Sequence, residues 1–139
     1  MTADPRQQLL KIFLAAVAAV GGRARVGSYL RAHSLTGPVY LIAFGKAACA
    51  MAHGAHEALG DRILGGLVIT KHGSGEPSPW PVLESGHPMP DETSLKAGAR
   101  LIEFAKSIPQ DAQVLVLLSG GASALVETLP AGLGLTQLR

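Results

Sequence analysis

The chain has 139 residues, of which 47% are hydrophobic, 16% charged and 4% aromatic, and its formal net charge is +2. That length carries one domain with a real core, and an Ala, Val, Leu and Gly excess is the profile of a soluble α/β protein rather than a disordered or fibrous one. Scattered lysines and arginines with no interleaved aromatics argue against a nucleic-acid partner, and the single cysteine, Cys49, excludes an internal disulfide framework and fits a reducing, cytoplasmic setting.

Asp4-Pro5 pairs an N-cap residue with a proline at the first helical position, which starts a helix expected to run to about Val20 and stop at Gly21-Gly22. Leu9 to Val20 imitates the apolar core of a secretory signal, but Asp4 is acidic, Lys11 interrupts the run and no basic cluster precedes it. Leu9, Leu10, Ile12, Phe13, Ala16, Val17 and Val20 follow helical spacing, so an amphipathic first helix is expected, and the run is too short to span a membrane. Arg23 to Ser34 reads as a second helix with Val26, Tyr29 and Leu30 on one face and Arg25, Arg31 and His33 solvated. Gly37-Pro38 ends this helical lead-in, residues 1–36, and residues 37–139 form the α/β portion.

Val39 to Phe44 is a buried strand, and Gly45-Lys46 leads into a helix over Ala47 to Leu59. Lys46 then sits in the βα turn at the carboxyl end of a strand, where open α/β sheets place their ligands. A lysine there is a compact cation aimed at an anionic group; as a mere surface residue it would oppose the helix dipole. His53 and His56 lie three apart on the helix, but no carboxylate or thiol joins them in register, so they read as surface or packing residues and no metal site is expected. Cys49 reads as a small buried hydrophobe.

Gly65 to Thr70 is a second strand, followed by the irregular stretch Lys71 to Pro81, whose glycines and prolines forbid regular structure. Lys71 and His72 leave the strand's end toward the same cleft as Lys46, or the stretch is a solvated lid with no chemistry. Val82 to Ser85 is a short strand. His87, between Gly86 and Pro88, is held on a turn that suits binding or acid–base work, or hydrogen bonding that fixes the turn. Asp91, just after Pro90, is the natural N-cap of a helix reaching about Lys106.

Val114 to Leu118 is a continuous apolar run, the pattern of a strand buried on both faces of a parallel sheet. Ser119-Gly120-Gly121 breaks it, and Ala122 to Glu127 restarts as helix. Strand, glycine turn and helix start make an anion site from free backbone N–H groups, to which the Ser119 and Ser123 hydroxyls can add; Ser119 as a plain helix cap is the alternative. The turn is neither a Walker loop nor the Gly-x-Gly-x-x-Gly dinucleotide fingerprint. Strands alternating with helices imply parallel pairing, right-handed crossovers and a doubly wound sheet. Thr136 reads as the N-cap of a helix cut short, and the chain to Arg139 as an incomplete domain, the N-terminal piece of a larger protein.

Phe44-Gly-Lys-Ala-Ala-Cys-Ala-Met-Ala52, Glu84-Ser-Gly-His-Pro-Met-Pro-Asp91 and Leu118-Ser-Gly-Gly-Ala-Ser-Ala-Leu125, in that order, resemble the glycerate 2-kinase family, whose full-length members end in a MOFRL domain and some of which carry the older label hydroxypyruvate reductase. The resemblance implies a Rossmann-like three-layer α/β/α domain and ATP-dependent phosphorylation of D-glycerate to 2-phosphoglycerate with Mg²⁺. It places Lys46 at the family's catalytic lysine and Ser119, Gly120, Gly121 and Ser123 in its phosphate region, with Ala122 standing where the family has a third glycine. His87 or His72 would orient glycerate, and the chain alone would be inactive. A hydroxypyruvate reductase lacks its dinucleotide fingerprint here. A non-catalytic sugar-phosphate-binding module competes with the kinase, as does a chain that only folds and forms a homodimer through its first helix.

Overall fold

The computed structural model describes residues 4–33 and 35–138; the expected helix end at Ser34 and the chain end at Arg139 lie outside them. Helix α1 spans Pro5–Ala19, and Asp4 caps it by accepting the Arg6 N–H at 3.1 Å. Helix α2 spans Gly22–Ala32. Strand β1 (Val39–Phe44) leads to α3 (Ala48–Leu59), and a single 3₁₀ turn, Gly60–Arg62, leads into β2 (Ile63–Lys71). Strand β3 (Val82–Ser85) is followed by α4 (Glu92–Ser107) and β4 (Gln113–Leu118), then by the one-turn helices α5 (Ala122–Leu125) and α6 (Leu135–Leu138).

The four strands form one sheet in the order β3-β2-β1-β4, and all three pairings are parallel. Helix α3 carries the chain from β1 to its neighbour β2, and α4 carries it from β3 across to β4 on the far side of β1. The parallel neighbours β2 and β3 are joined without a helix, by residues 72–81. Helices lie on both faces, as the α/β reading requires. On one face Leu30 of α2 and Ala48, Met51, Ala52 and Ala55 of α3 pack on Leu41, Ala43, Val68 and Leu117. On the other, Ala97 of α4 and Leu125 of α5 pack on Leu67 and Ile69. Fully burying each large apolar side chain contributes roughly 1.5–3 kcal/mol, which is what holds these thin layers together.

The small residues of α3 have a use. A Cβ on Gly54 would lie 2.9 Å from the Arg23 carbonyl carbon and 3.0 Å from its Cα, so α2 rests on α3 backbone to backbone. The exposed Arg23–Glu57 ion pair spans the same contact and adds little, because solvent screens it.

Four expectations change. Strand β4 is not buried on both faces: Val114, Val116 and Leu118 are 45%, 53% and 62% exposed, because β4 is an edge strand and α4 sits over β2 and β3 instead. The first helix forms, but none of its residues is buried, so its apolar positions face away from the core. Of the three α2 residues expected on one inner face, Leu30 is buried and Val26 half-buried, while Tyr29 is exposed and stacks on His33 with ring centroids 4.1 Å apart. Thr136 lies inside α6, which begins at Leu135, so it is not the N-cap. No helix among the described residues is long and apolar enough to cross a membrane.

Candidate active cleft

The chain leaves β1 toward β2 on one side and arrives at β4 on the other, so the crevice outside the carboxyl ends of β1 and β4 is the topological switch point of the sheet. The two turns that border it, Gly45-Lys46-Ala47 and Ser119-Gly120-Gly121, are bonded to each other. The Ser119 N–H donates to the Phe44 carbonyl at 3.1 Å, the Lys46 N–H to the Gly120 carbonyl at 3.0 Å, and the Ala47 N–H to Ser119 Oγ at 3.0 Å. Gly45 makes this possible. Its φ is +122°, and a Cβ there would meet the Ser119 carbonyl oxygen at 2.5 Å and carbonyl carbon at 2.8 Å.

Ser119 therefore does not cap the helix that follows it. The cap position of α5 is Gly121, with no side-chain bond, and the Ser119 oxygen serves the start of α3, leaving its O–H to donate elsewhere. Helix α5 is one turn long, so the anion-favouring end of a real helix at this cleft belongs to α3. Its twelve residues begin beside Lys46, and Ala47 offers no side-chain cap. The length of α3 was visible in the sequence, but its proximity to the Ser119 turn depends on β1 and β4 being neighbours.

Two of the expected residues, Lys46 and His87, meet at a third, Gly121, whose φ is +91°. A Cβ on it would lie 2.8 Å from His87 Cδ2, 2.9 Å from His87 Nε2 and 3.2 Å from Lys46 Cγ. The imidazole and the lysine stem thus flank one glycine, although His87 follows β3 at the opposite edge of the sheet. Lys46 is exposed and His87 half-buried. Ser123 is exposed on α5 and lines a shallow cleft of about 220 Å³ with Pro88 and Pro90 of the His87 turn.

Lys71 closes β2 opposite Ser85, but His72 is tied to the start of α4. His72 Nε2 lies 3.0 Å from Asp91 Oδ2 and 3.3 Å from Thr93 Oγ1. Asp91 caps α4 as expected, accepting the N–H groups of Thr93 at 2.8 Å and Ser94 at 3.2 Å, in a capping box closed by the Ser94 hydroxyl. The Thr93 hydroxyl and His72 hold the Asp91 carboxyl well below the usual carboxylate range.

The stretch after β2 is pinned down rather than loose. Both oxygens of Glu84 accept its backbone N–H groups, from Gly75 at 2.6 Å and Gly73 at 3.1 Å, which lowers the Glu84 pKa. Trp80 lies over Gly66, edge-on to His56 at 5.4 Å between ring centroids, and His53 Nε2 is 3.4 Å from Glu76. The two α3 histidines thus hold a loop. Among the described residues no three His, Cys, Asp or Glu side chains group to hold a metal ion. Cys49 is buried, and burial pushes its thiol pKa up, which makes it a poor nucleophile.

Residues 8–139 match the model of a family described as Domain of unknown function (DUF4147). The chain belongs to the DUF4147 family. It is 41% identical over 103 residues to the D-glycerate 2-kinase of Thermotoga maritima, an alignment covering 73% of this chain and 25% of that protein. A glycerate 2-kinase of Pyrococcus horikoshii is 38% identical over 106 residues, covering 76% and 24%. The crystal structure of the glycerate kinase of Thermotoga maritima superposes with a TM-score of 0.84 at 36% identity, covering 95% of this chain and 32% of that one. The resemblance to glycerate 2-kinases drawn from the three motifs therefore holds, and so does the α/β fold. This DUF4147 chain spans only a quarter to a third of the length of these relatives.

Proposed function

We propose that this chain supplies part of the active cleft of a glycerate 2-kinase, which transfers a phosphoryl group from ATP to D-glycerate to give 2-phosphoglycerate. The observation that carries the reading is the clasp of two βα turns at the switch point, with the side chains of Lys46 and His87 both close against Gly121. Phosphoryl transfer asks for positioning and charge neutralisation more than for covalent chemistry by the protein, and that is what this floor can do.

The fit to a phosphate lies in the glycines: at Gly121 a side chain would fill the space between lysine and imidazole. ATP, when bound, supplies the phosphoryl group. Lys46 offsets negative charge that grows on the transferred group, and the Gly120 and Gly121 N–H groups with the Ser119 and Ser123 hydroxyls hold phosphate oxygens. His87, from the other edge of the sheet, orients glycerate, with Lys71 farther out on the β2 exit. The family's Mg²⁺ finds no three-ligand group among the described residues, and no step is assigned to it.

The test is ADP release with D-glycerate and ATP, measured on this chain alone and on a chimera in which it replaces the matching third of the Thermotoga maritima enzyme. Turnover is expected in the chimera and not in the chain alone. Lys46→Ala is expected to lower it by about 10²–10³-fold, the scale of losing one charge-stabilising group. Equal rates with and without Lys46 would return that residue to the surface. An inactive but folded chimera that still binds phosphorylated sugars would favour a binding module.

A further inference from the structure

We infer that His72 is a positioning residue of this cleft, acting through Asp91 on the turn that presents His87. The inference rests on the cleft assigned above but not on the reaction that occurs there. The two oxygens of Asp91 divide their work. Oδ1 accepts from the Thr93 and Ser94 N–H groups and from the Thr93 hydroxyl, which completes the α4 cap without His72. Oδ2 is left for His72 Nε2.

That carboxylate lies directly against the turn. A Cβ on Gly86, the residue before His87, would be 2.7 Å from Asp91 Cγ and 2.9 Å from Oδ2. The other end of the turn is anchored by Ser85, whose Oγ donates to the Leu125 carbonyl at 2.7 Å, just past the Ser119-Gly120-Gly121 turn, and lies 3.1 Å from Ser94 Oγ. His72 touches both anchors: its backbone N–H donates to the Ser85 carbonyl at 3.0 Å and its ring bonds Asp91. The backbone bond is kept by any residue at position 72 except proline, whereas the ring bond is not. The side chain of His72 therefore fixes how Oδ2 of the Asp91 carboxylate is turned against Gly86, and with it where the next residue, His87, meets Gly121.

The experiment uses the chain itself, isotope-labelled, with His72→Leu and His72→Gln compared by nuclear Overhauser contacts between the His87 ring and the Gly121 α protons. Glutamine carries an N–H to about the reach of imidazole Nε2, and leucine carries none. The contact is expected in the parent and in His72→Gln and lost in His72→Leu, while the contacts across β1 and β4 and along α4 stay unchanged. A His72→Leu chain that keeps the His87–Gly121 contact overturns the inference, as does a His72→Gln chain that loses it with the fold intact. Should His72→Leu not fold, His72→Asn, whose amide stops short of Asp91, takes its place with the same expected loss. No nucleotide or glycerate enters the measurement, so failure of the kinase reading would leave this result interpretable.

Discussion

Gly45→Ala tests the clasp most directly. At φ +122° any side chain is strained, and sparsely populated backbone conformations cost about 1–3 kcal/mol. The added methyl would also overlap the Ser119 carbonyl group, at 2.5 Å from its oxygen and 2.8 Å from its carbon, and overpacking of this kind costs a further 1–3 kcal/mol or so. The sum, about 2–6 kcal/mol, is a large part of the roughly 5–15 kcal/mol that holds a typical domain together. Urea unfolding followed by far-UV circular dichroism should show a fall in midpoint with little change in slope. The double variant Gly45→Ala/Ser119→Ala removes only the hydroxyl and leaves the Ser119 backbone in place, so at most a partial recovery is expected. A Gly45→Ala chain within about 0.5 kcal/mol of the parent, the usual range for a neutral surface change, would refute the reasoning and mean that the two turns separate freely.

Other positions give independent checks. Gly54→Ala gains about 1 kcal/mol of helix propensity but drives a methyl into the Arg23 backbone at a cost of about 1–3 kcal/mol, so a net loss of up to about 2 kcal/mol is expected in the same urea titration. Thr70 is fully buried and its Oγ1 has no hydrogen-bond partner among the described residues, so Thr70→Val should leave the midpoint unchanged or raise it, where most buried substitutions lower it. The carboxyls of Asp91 and Glu84 have lowered pKa values in the fold. Their contribution is complete above the unfolded carboxylate range near about 4 and is lost as pH falls through the folded values, so the urea midpoint should hold from neutral pH down to that range and drop below it. Glu84→Gln should flatten part of that drop. Lys46→Ala should leave the midpoint within about 0.5 kcal/mol, because the side chain is exposed, which separates its expected effect on turnover from any effect on folding.

Much of the fold is legible in local chemistry. Asp4-Pro5 and Asp91 announce helix starts because short acceptors beside an unpaired N–H do so wherever they occur, and both cap as read. The apolar runs give β1, β2 and β4, and the helices between strands give the parallel direction of β1 with β2 and of β3 with β4, whereas the parallel pairing of β2 with β3 runs through a helix-free connection. Strand order is not local: nothing in Val114 to Leu118 says whether a helix will cover it, and a continuous apolar run reads the same at an edge as at a centre. The cleft divides in the same way. Lys46 and the glycine turn were visible as two βα turns. That Ser119 bonds Ala47, 72 residues away in the chain, required knowing that β1 and β4 are neighbours. The tie of His72 to Asp91 stayed hidden because an N-cap aspartate spends only one oxygen on its helix, and the sequence carries no sign of what the other receives.

The bonds between the Gly45 and Ser119 turns also limit how this cleft can move. Each turn donates to the other, and both grow from strands already paired along their whole length. Swinging one turn away would break three hydrogen bonds and part the ends of two paired strands, so the floor has no hinge of its own. Any opening and closing around a ligand must come from whatever stands opposite. In the proposed kinase the Lys46 backbone is thus already in place before a ligand arrives, and less ordering entropy would be lost on binding than at a site built on mobile loops.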